Sequence, residues 1–187
     1  MKIHIENLCK SYGGSPVLKN VSFTAGPGVT CIMAPSGSGK TTLLRILLGL
    51  ERPDSGTVGL PEKCRWSAVF QEDRLLEGLD AMGNLRFVLG SALDEAAALA
   101  LLAELGLEDA VGKPAREFSG GMKRRLALAR ALLAPFDVLA LDEPFTGLDQ
   151  DNRERAWRCV REHAAGMPVL LVSHELPPEG AYDLVRL

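Results

Sequence analysis

Residues 34 to 42 of this 187-residue chain read Ala-Pro-Ser-Gly-Ser-Gly-Lys-Thr-Thr, a glycine-rich loop between two apolar segments. Residues 29–33 before the loop are typical of a buried strand, and residues 42–48 after it are typical of a helix that ends at Gly49. Glycines in such a loop let backbone N–H groups converge on phosphate oxygens, and the start of the helix adds partial positive charge. The stretch therefore predicts a phosphate-binding loop in an α/β fold.

The side chains of the loop fit the same role. Lys40 is expected to reach the β- and γ-phosphates of a nucleotide, and the hydroxyl of Thr41 is expected to bind Mg²⁺. The motif G-x-x-x-x-G-K-[ST] is broken once, because its first glycine is Ala34, but a residue before proline is held in an extended conformation that tolerates a Cβ atom. The alternative is a glycine-rich turn with a chance lysine. The predicted nucleotide-binding residues of the loop are Ala34, Pro35, Ser36, Gly37, Ser38, Gly39, Lys40, Thr41 and Thr42.

Two adjacent carboxylates follow the apolar residues 138–141. Four apolar residues that end in acids describe a buried parallel strand whose carboxyl end opens into an active-site crevice. Asp142 is expected to hold Mg²⁺ through water, and Glu143 is expected to act as the general base toward an attacking water. The alternative is a strand end with two solvated acids.

A third segment, Phe118-Ser-Gly-Gly-Met122, precedes a helix with a basic face. Ser119 is a good N-cap residue, and Gly120 and Gly121 leave backbone donors bare at the positive end of the helix. This predicts a second phosphate site, which a second copy of the chain would complete, since the loop at Lys40 already occupies the phosphates of its own nucleotide. Residues 123–125, Lys-Arg-Arg, are interpreted as a solvated helix face.

Length and composition fit one domain, residues 1–187, with a substantial core. A net charge of −3 gives no sign of general nucleic-acid binding, and no apolar run approaches the length of a membrane span. The four cysteines and three histidines show no zinc-ligand spacing. Strand-like and helical segments predict a core lobe of residues 1–71 and 132–187, with a parallel sheet, and an α-helical subdomain of residues 72–131.

In this order, these motifs resemble those of ABC-type ATPases, and the chain is similar to the ATP-binding subunit of an ABC transporter of the importer type. The Ser-Gly-Gly segment between the two nucleotide motifs carries most of that specificity. The resemblance implies a P-loop NTPase core with a mostly parallel sheet, flanking helices, an N-terminal antiparallel β element and a helical subdomain. It also implies ATP hydrolysis with ATP and Mg²⁺ as cofactors.

The resemblance also implies roles for single residues. Tyr12 corresponds to the aromatic residue that stacks on adenine, and Gln71 to the glutamine that contacts Mg²⁺ and the attacking water. His174 corresponds to the histidine that contacts the γ-phosphate and orients Glu143. Asp149 corresponds to a residue near the dimer seam. With Lys40, the expected catalytic residues are Glu143, His174 and Gln71, and the expected metal-binding residues are Thr41, Gln71 and Asp142.

The implied partners are a second copy of the chain in a head-to-tail dimer, integral membrane permease subunits and a solute-binding protein, and no nucleic acid. The implied location is cytoplasmic, on the inner face of the cell membrane. A soluble ABC ATPase outside transport is the alternative, although such proteins insert long coiled coils that residues 72–131 do not predict. A second alternative is a binding module without catalytic activity, but such a module would lack Lys40, Asp142 or Glu143, and all three are present. Residues 175–187 depart from the family pattern. Pro177-Pro178 excludes an ordinary helix at that point, and no C-terminal regulatory module is expected.

Overall fold

The computed structural model describes residues 1–35, 37–61, 63–178 and 180–187. The chain divides into two compact units. Unit 1 contains residues 1–68, 136–143 and 166–187, and unit 2 contains residues 69–135 and 144–165. The predicted helical subdomain, residues 72–131, falls within unit 2, which also takes in residues 144–165. The assignment of the whole chain to one domain with those boundaries stays a prediction.

Unit 1 begins with a three-stranded antiparallel sheet in the order β2-β1-β4. Its strands are β1 (Ile3–Tyr12), β2 (Ser15–Ala25) and β4 (Ser55–Gly59). One face of β1 supplies Ile3, Ile5 and Leu8 to the core, and the alternation of buried and exposed residues follows from the period of two along a strand. The N-terminal antiparallel β element is therefore as predicted.

The second sheet has five strands in the order β5-β6-β7-β3-β8. They are β3 (Gly28–Met33), β5 (Trp66–Val69), β6 (Val138–Asp142), β7 (Pro168–Ser173) and β8 (Tyr182–Arg186). β3 runs parallel to both β7 and β8, and β6 runs parallel to β7. β6 and β7 are buried along their whole length, as expected for continuous apolar strands covered on both faces.

Helix α1 (Lys40–Leu47) follows β3 directly after the glycine-rich loop. Its buried face, Leu43, Leu44, Ile46 and Leu47, packs in one core with residues of both sheets. This core fixes the start of α1 against the ends of the strands. The strand–loop–helix unit predicted from residues 29–48 is confirmed.

Strand β8 was not predicted from the sequence. Its residues pair with β3 on the side opposite to β7, and the amide of Leu187 donates a hydrogen bond to the carbonyl of Met33 at 3.1 Å. Its side chains are mostly exposed or half-buried, as for an edge strand, so the segment lacks the apolar run that marked β6 and β7.

Unit 2 contains four α-helices: α2 (Ala81–Leu89), α3 (Glu95–Glu104), α4 (Gly120–Leu133) and α5 (Gln150–His163). Each begins after a polar residue whose side chain accepts a hydrogen bond from a first-turn amide; these N-cap residues are Asp80, Asp94, Ser119 and Asp149. The sequence predicts helices at residues 94–105, 121–133 and 150–165. The helices α3, α4 and α5 lie close to these bounds. Among the described residues the longest helices have 14 residues, and none combines the length and the apolar character of a membrane span.

The sequence suggested helical character from residue 72, but helix begins only at Ala81. Asn84, which is 2% exposed, explains the difference. Its amide nitrogen donates to the carbonyls of Leu76, Leu79 and Asp80, and its side-chain oxygen accepts from the amide of Leu76 at 2.8 Å. These bonds satisfy the backbone of an irregular loop, which no periodic pattern could reveal.

Replacing Asn84 by alanine should destabilise the chain by about 1–3 kcal/mol, because the amide of Leu76 loses its acceptor and three loop carbonyls each lose one of their two donors. The measurement is the urea unfolding midpoint at unchanged m value. Lys113→Ala, an exposed change in the same unit, serves as control and should shift the free energy of unfolding by less than about 0.5 kcal/mol. Equal, small effects of the two variants would contradict this account of the loop.

Candidate nucleotide-binding site

The loop after β3 has the backbone geometry of an anion cradle. Gly37 and Gly39 have φ angles of 79° and 90°, and Gly39 precedes α1 without any side-chain cap. The first-turn amides of a helix have no partner within the helix, so they remain available to an external acceptor. A Cβ atom on Gly39 would lie 2.7 Å from Val17 Cγ1 and 2.8 Å from Leu18 Cδ2, so packing as well as φ demands glycine there.

Two side chains of the loop are held in the cradle. Lys40 is 8% exposed, and its Nζ donates to the carbonyl oxygens of Ala34 at 2.7 Å and Pro35 at 3.1 Å. Among the described residues, Ser38 has a buried hydroxyl oxygen without a hydrogen-bond partner in the protein. A buried hydroxyl normally has a partner, so this atom fits an external oxygen such as that of a phosphate. Ser36 was also predicted to bind nucleotide, and it lies outside the described residues.

Thr41 and Asp142 meet although 101 positions separate them in the chain. The Thr41 hydroxyl donates to Asp142 Oδ2 at 2.8 Å, and Asp142 is 1% exposed. A hydroxyl and a carboxylate are hard oxygen ligands, which suit Mg²⁺ held by few protein groups together with phosphates. The donor set therefore fits Mg²⁺. Residues 1–35, 37–61, 63–178 and 180–187 contain no group of three or more His, Cys, Asp or Glu arranged for a metal, and a magnesium site of this kind needs none.

Glu143 is the first residue after β6 and has a φ angle of 50°. A positive φ is uncommon for a residue with a Cβ, and here the hydrogen bond from its amide to the carbonyl of Val172, 2.9 Å, supports the conformation. Its carboxylate lies 3.8 Å from Lys40 Nζ through Oε1 and 2.8 Å from His174 Nδ1 through Oε2. The structure thus brings the predicted base, lysine and histidine together at one edge of the sheet.

Cys31 lies behind this site in β3 and is fully buried. Burial, with a smaller contribution from the charge of Glu143, raises the pKa of its thiol to about 11. The thiol is therefore protonated at neutral pH and acts as a small apolar side chain.

Tyr12 lies at the end of β1 with 46% of its surface exposed. Its hydroxyl donates to a carboxylate oxygen of Glu51, and Lys10 Nζ lies 5.4 Å from the centroid of its ring. The hydrogen bond to Glu51 is the main cause that raises the pKa of the Tyr12 hydroxyl. An exposed ring held by its hydroxyl is suited to stacking, but the adenine contact stays a prediction. No sequence pattern pointed to Glu51 or Lys10 as its supports.

Thr42, also predicted to bind nucleotide, lies half-buried in the first turn of α1. The other predicted residues lie in unit 2. Gln71 is exposed, and its backbone carbonyl accepts from Arg124 Nη1 at 3.3 Å. Ser119 is exposed at the start of α4, and its hydroxyl accepts from the amide of Met122 at 3.2 Å, as the N-cap prediction required. Asp149 caps α5, and the amide of Asn152 is the main cause that lowers its pKa. The roles of these residues toward nucleotide and partner stay predictions.

The interpretation of residues 123–125 as a solvated face is wrong for the two arginines. Arg124 and Arg125 are 4% and 8% exposed. Arg125 Nη1 donates to the carbonyls of Leu105 at 2.5 Å and Gly106 at 2.9 Å, where α3 ends. Carbonyls without helical partners attract a guanidinium. Because these carbonyls lie outside α4, the residue pattern along α4 does not show that its arginines are needed as donors.

A family model described as ABC transporter matches residues 18–146. The chain belongs to the ABC transporter family. It is 41% identical to an aliphatic sulfonates import ATP-binding protein SsuB 1 of Agrobacterium fabrum, over 91% of the chain and 64% of the relative. It is 37% identical to a zinc import ATP-binding protein ZnuC of Pseudomonas fluorescens, over 93% of the chain and 68% of the relative. It is 39% identical to a Nod factor export ATP-binding protein I of Paraburkholderia xenovorans, over 92% of the chain and 62% of the relative.

Among solved structures, the ATP-binding subunit of an ABC transporter matches with a TM-score of 0.81 at 25% identity, over 94% of the chain and 80% of that structure. The family resemblance drawn from the motifs and the predicted fold class are both confirmed. The chain spans roughly two thirds of the length of these curated relatives, between 62% and 68%.

The two glycines at the start of α4 differ in their surroundings. A Cβ atom on Gly121 would lie 3.3 Å from both the carbonyl oxygen of Gly147 and Leu148 Cδ2, whereas a Cβ atom on Gly120 would meet nothing within 4 Å. Gly121→Ala should therefore lower the unfolding temperature, while Gly120→Ala should leave it unchanged or raise it, because alanine is favoured over glycine in a helix by about 1 kcal/mol. Thermal unfolding of the two variants side by side checks this, and equal losses would show that the helix start is constrained in another way.

Proposed function

We propose that this chain binds ATP and hydrolyses it as the ATP-binding subunit of an ABC transporter. One observation carries the proposal: three segments that lie far apart in the chain converge at the carboxyl edge of the parallel sheet. They supply Lys40 and Thr41, Asp142 and Glu143, and His174. Membership of the ABC transporter family and the names of the relatives support the same activity.

The roles of the residues follow from their positions. The amides of the glycine-rich loop and the start of α1 bind phosphate oxygens, and Lys40 leaves the carbonyls of Ala34 and Pro35 to bind the terminal phosphate. Thr41 and Asp142 would hold Mg²⁺, which when bound screens the charge on the phosphates. Gln71 is proposed as a further contact of that ion and of the attacking water.

Glu143 takes a proton from the attacking water, and His174 orients it. The hydrogen bond of 2.8 Å between His174 Nδ1 and Glu143 Oε2 fixes one carboxylate oxygen and leaves the other to face Lys40. A base that is already oriented loses little freedom in the transition state, which is the physical basis of its contribution.

The dimer is part of the proposal. Ser119, Gly120 and Gly121 present exposed or half-buried backbone at the positive end of a 14-residue helix. In a head-to-tail pair these groups face the terminal phosphate held by Lys40 of the other copy. ATP then favours the closed pair and phosphate release favours the open pair, so hydrolysis shifts a population that a bound partner senses.

The proposed partners are integral membrane permease subunits and a solute-binding protein, with the chain cytoplasmic at the inner face of the membrane. The relatives are named for sulfonates, zinc and Nod factor, so similarity does not single out one solute or one direction of transport. A soluble ABC ATPase outside transport is not favoured. The longest helices of the described residues have 14 residues, which is too short for an inserted coiled-coil arm.

Glu143→Gln should bind ATP but release phosphate at least about 100-fold more slowly, because the general base is removed while the phosphate cradle is unchanged. It should also accumulate as a dimer on gel filtration with ATP. Lys40→Ala is the matched variant, and it should lose ATP binding itself. Turnover of Glu143→Gln at the rate of the unmodified chain would show that Glu143 is not the base.

Ser119→Ala should strongly reduce hydrolysis but leave ATP binding by the single chain intact, since Ser119 serves the nucleotide of the other copy. Asp94→Ala removes the equivalent cap from α3 and costs a similar stability, about 1 kcal/mol, so it controls for the capping effect. Titration of a fluorescent ATP analogue and phosphate release measure the two properties. Loss of nucleotide binding in Ser119→Ala alone would contradict a role across the dimer.

A further inference from the structure

The irregular residues 70–74 of unit 2 are held by two arginines of α4. Arg124 Nη1 donates to the carbonyl of Phe70 at 2.5 Å, to the carbonyl of Gln71 at 3.3 Å and to Asp73 Oδ1 at 3.0 Å. Arg124 is almost completely buried, so these bonds are shielded from water. Hydrogen bonds from a charged donor are stronger than neutral ones.

Arg130 binds further backbone carbonyls of the same segment. It lies six residues further along α4, a rise of about 9 Å, and donates to the carbonyl of Arg74 at 2.8 Å and to that of Asp73 at 2.8 Å. Burial lowers the pKa of its guanidinium, as expected for a charge whose partners are mainly carbonyls. The two guanidinium groups together bind the backbone carbonyls of four of the five residues from Phe70 to Arg74.

This contact links two groups that have separate tasks in the proposed function. Gln71 serves the nucleotide of its own chain, and Ser119 at the start of α4 serves the nucleotide of the other copy. A segment without helix or strand hydrogen bonds would otherwise move independently of the helix. All three bonds come from one nitrogen of the guanidinium, Nη1. Glutamine at position 124 has a shorter, uncharged side chain, so it could not make these charge-assisted bonds.

We propose that Arg124 and Arg130 are positioning residues that join Gln71 to the helix that begins at Ser119, so that the two nucleotide sites of the dimer communicate through α4. Residues 70–74 and α4 move as one piece. A displacement of Gln71 on hydrolysis at one site therefore displaces Ser119, Gly120 and Gly121 at the other. This inference rests on the proposed function for the tasks of Gln71 and Ser119, but the joined segment itself rests only on the contacts within unit 2.

The first test is a double-mutant cycle on the full chain with Arg124→Gln, Gln71→Ala and the double variant. Arg124→Gln should lower kcat by between about 10- and 100-fold, the range expected when a reacting group is misplaced, with ATP binding unchanged. In the Gln71→Ala background the same substitution should lower kcat by less than about two-fold, because its effect acts through Gln71. Full multiplication of the two effects would overturn the proposal.

The second test needs no hydrolysis and therefore separates the proposal from the proposed function. Hydrogen exchange is measured on the nucleotide-free chain, and Arg124→Gln should speed exchange of the amides of residues 70–76 by at least about ten-fold while the middle of α4 keeps its rate. Arg116→Gln, an exposed arginine of the same unit, is the control and should change neither region. Unchanged exchange in residues 70–76 would overturn the joined segment, even in a fully active chain.

Asp73→Asn keeps the test decisive if Arg124→Gln does not fold. It removes only the charge partner of Arg124 at 3.0 Å and leaves the carbonyl contacts in place. It should speed exchange in residues 70–76 by a smaller factor, about two- to five-fold, with the unfolding temperature nearly unchanged, since a single partly exposed ion pair contributes little to stability. Faster exchange throughout unit 2 would instead mark general destabilisation and count against the proposal.

Discussion

Buried charge at the carboxyl edge of the parallel sheet is the constraint on which the structure depends. Asp142 is almost fully buried, and Lys40 and Glu143 keep only 9% and 14% of their side chains exposed. Charges removed from water are costly unless each has a partner. Here Thr41, His174 and the loop carbonyls supply those partners, so the fold keeps an unfavourable set of groups together. The surrounding core stabilises this set of groups. In the proposed function, phosphate oxygens would replace some of these internal partners.

The apolar core explains why that edge is rigid. β6 and β7 are buried along their whole length, and α1 packs its apolar face on the same core. Parallel strands carry their carboxyl ends to one edge, so residues that follow β3, β6 and β7 meet there although the chain separates them widely. The positive φ of Glu143 also brings groups together at this edge. It turns the chain directly after β6 and places the carboxylate near Lys40 and His174.

In unit 2, side-chain hydrogen bonds hold the helix ends and the loops. Its helices begin at polar caps, and its loops are satisfied by side chains, namely Asn84 and three arginines of α4. The basic helix after residue 119 was visible in the sequence, and so was Ser119 as its N-cap. The loop before α2 was not visible, because its conformation depends on the hydrogen bonds of Asn84 and not on any repeat. For the same reason the arginines of α4 looked like a solvated face.

The sequence by itself determined the family and the fold class of this protein, and it predicted the residues of the candidate site. The glycine-rich loop with Lys40, the acids after an apolar strand and the Ser-Gly-Gly segment are local patterns whose function depends on adjacent residues, so their meaning can be read without a structure. Only the tertiary structure decided the partners of the charges: Thr41 with Asp142, Glu143 with His174, and Arg124 with the carbonyls near Gln71. These pairs join residues separated by between 31 and 101 positions, and which unsatisfied group meets which donor is settled by packing. The edge strand β8 was also decided by the tertiary structure. It forms because β3 has an open edge to pair with, and the composition of its own residues does not mark it as a strand.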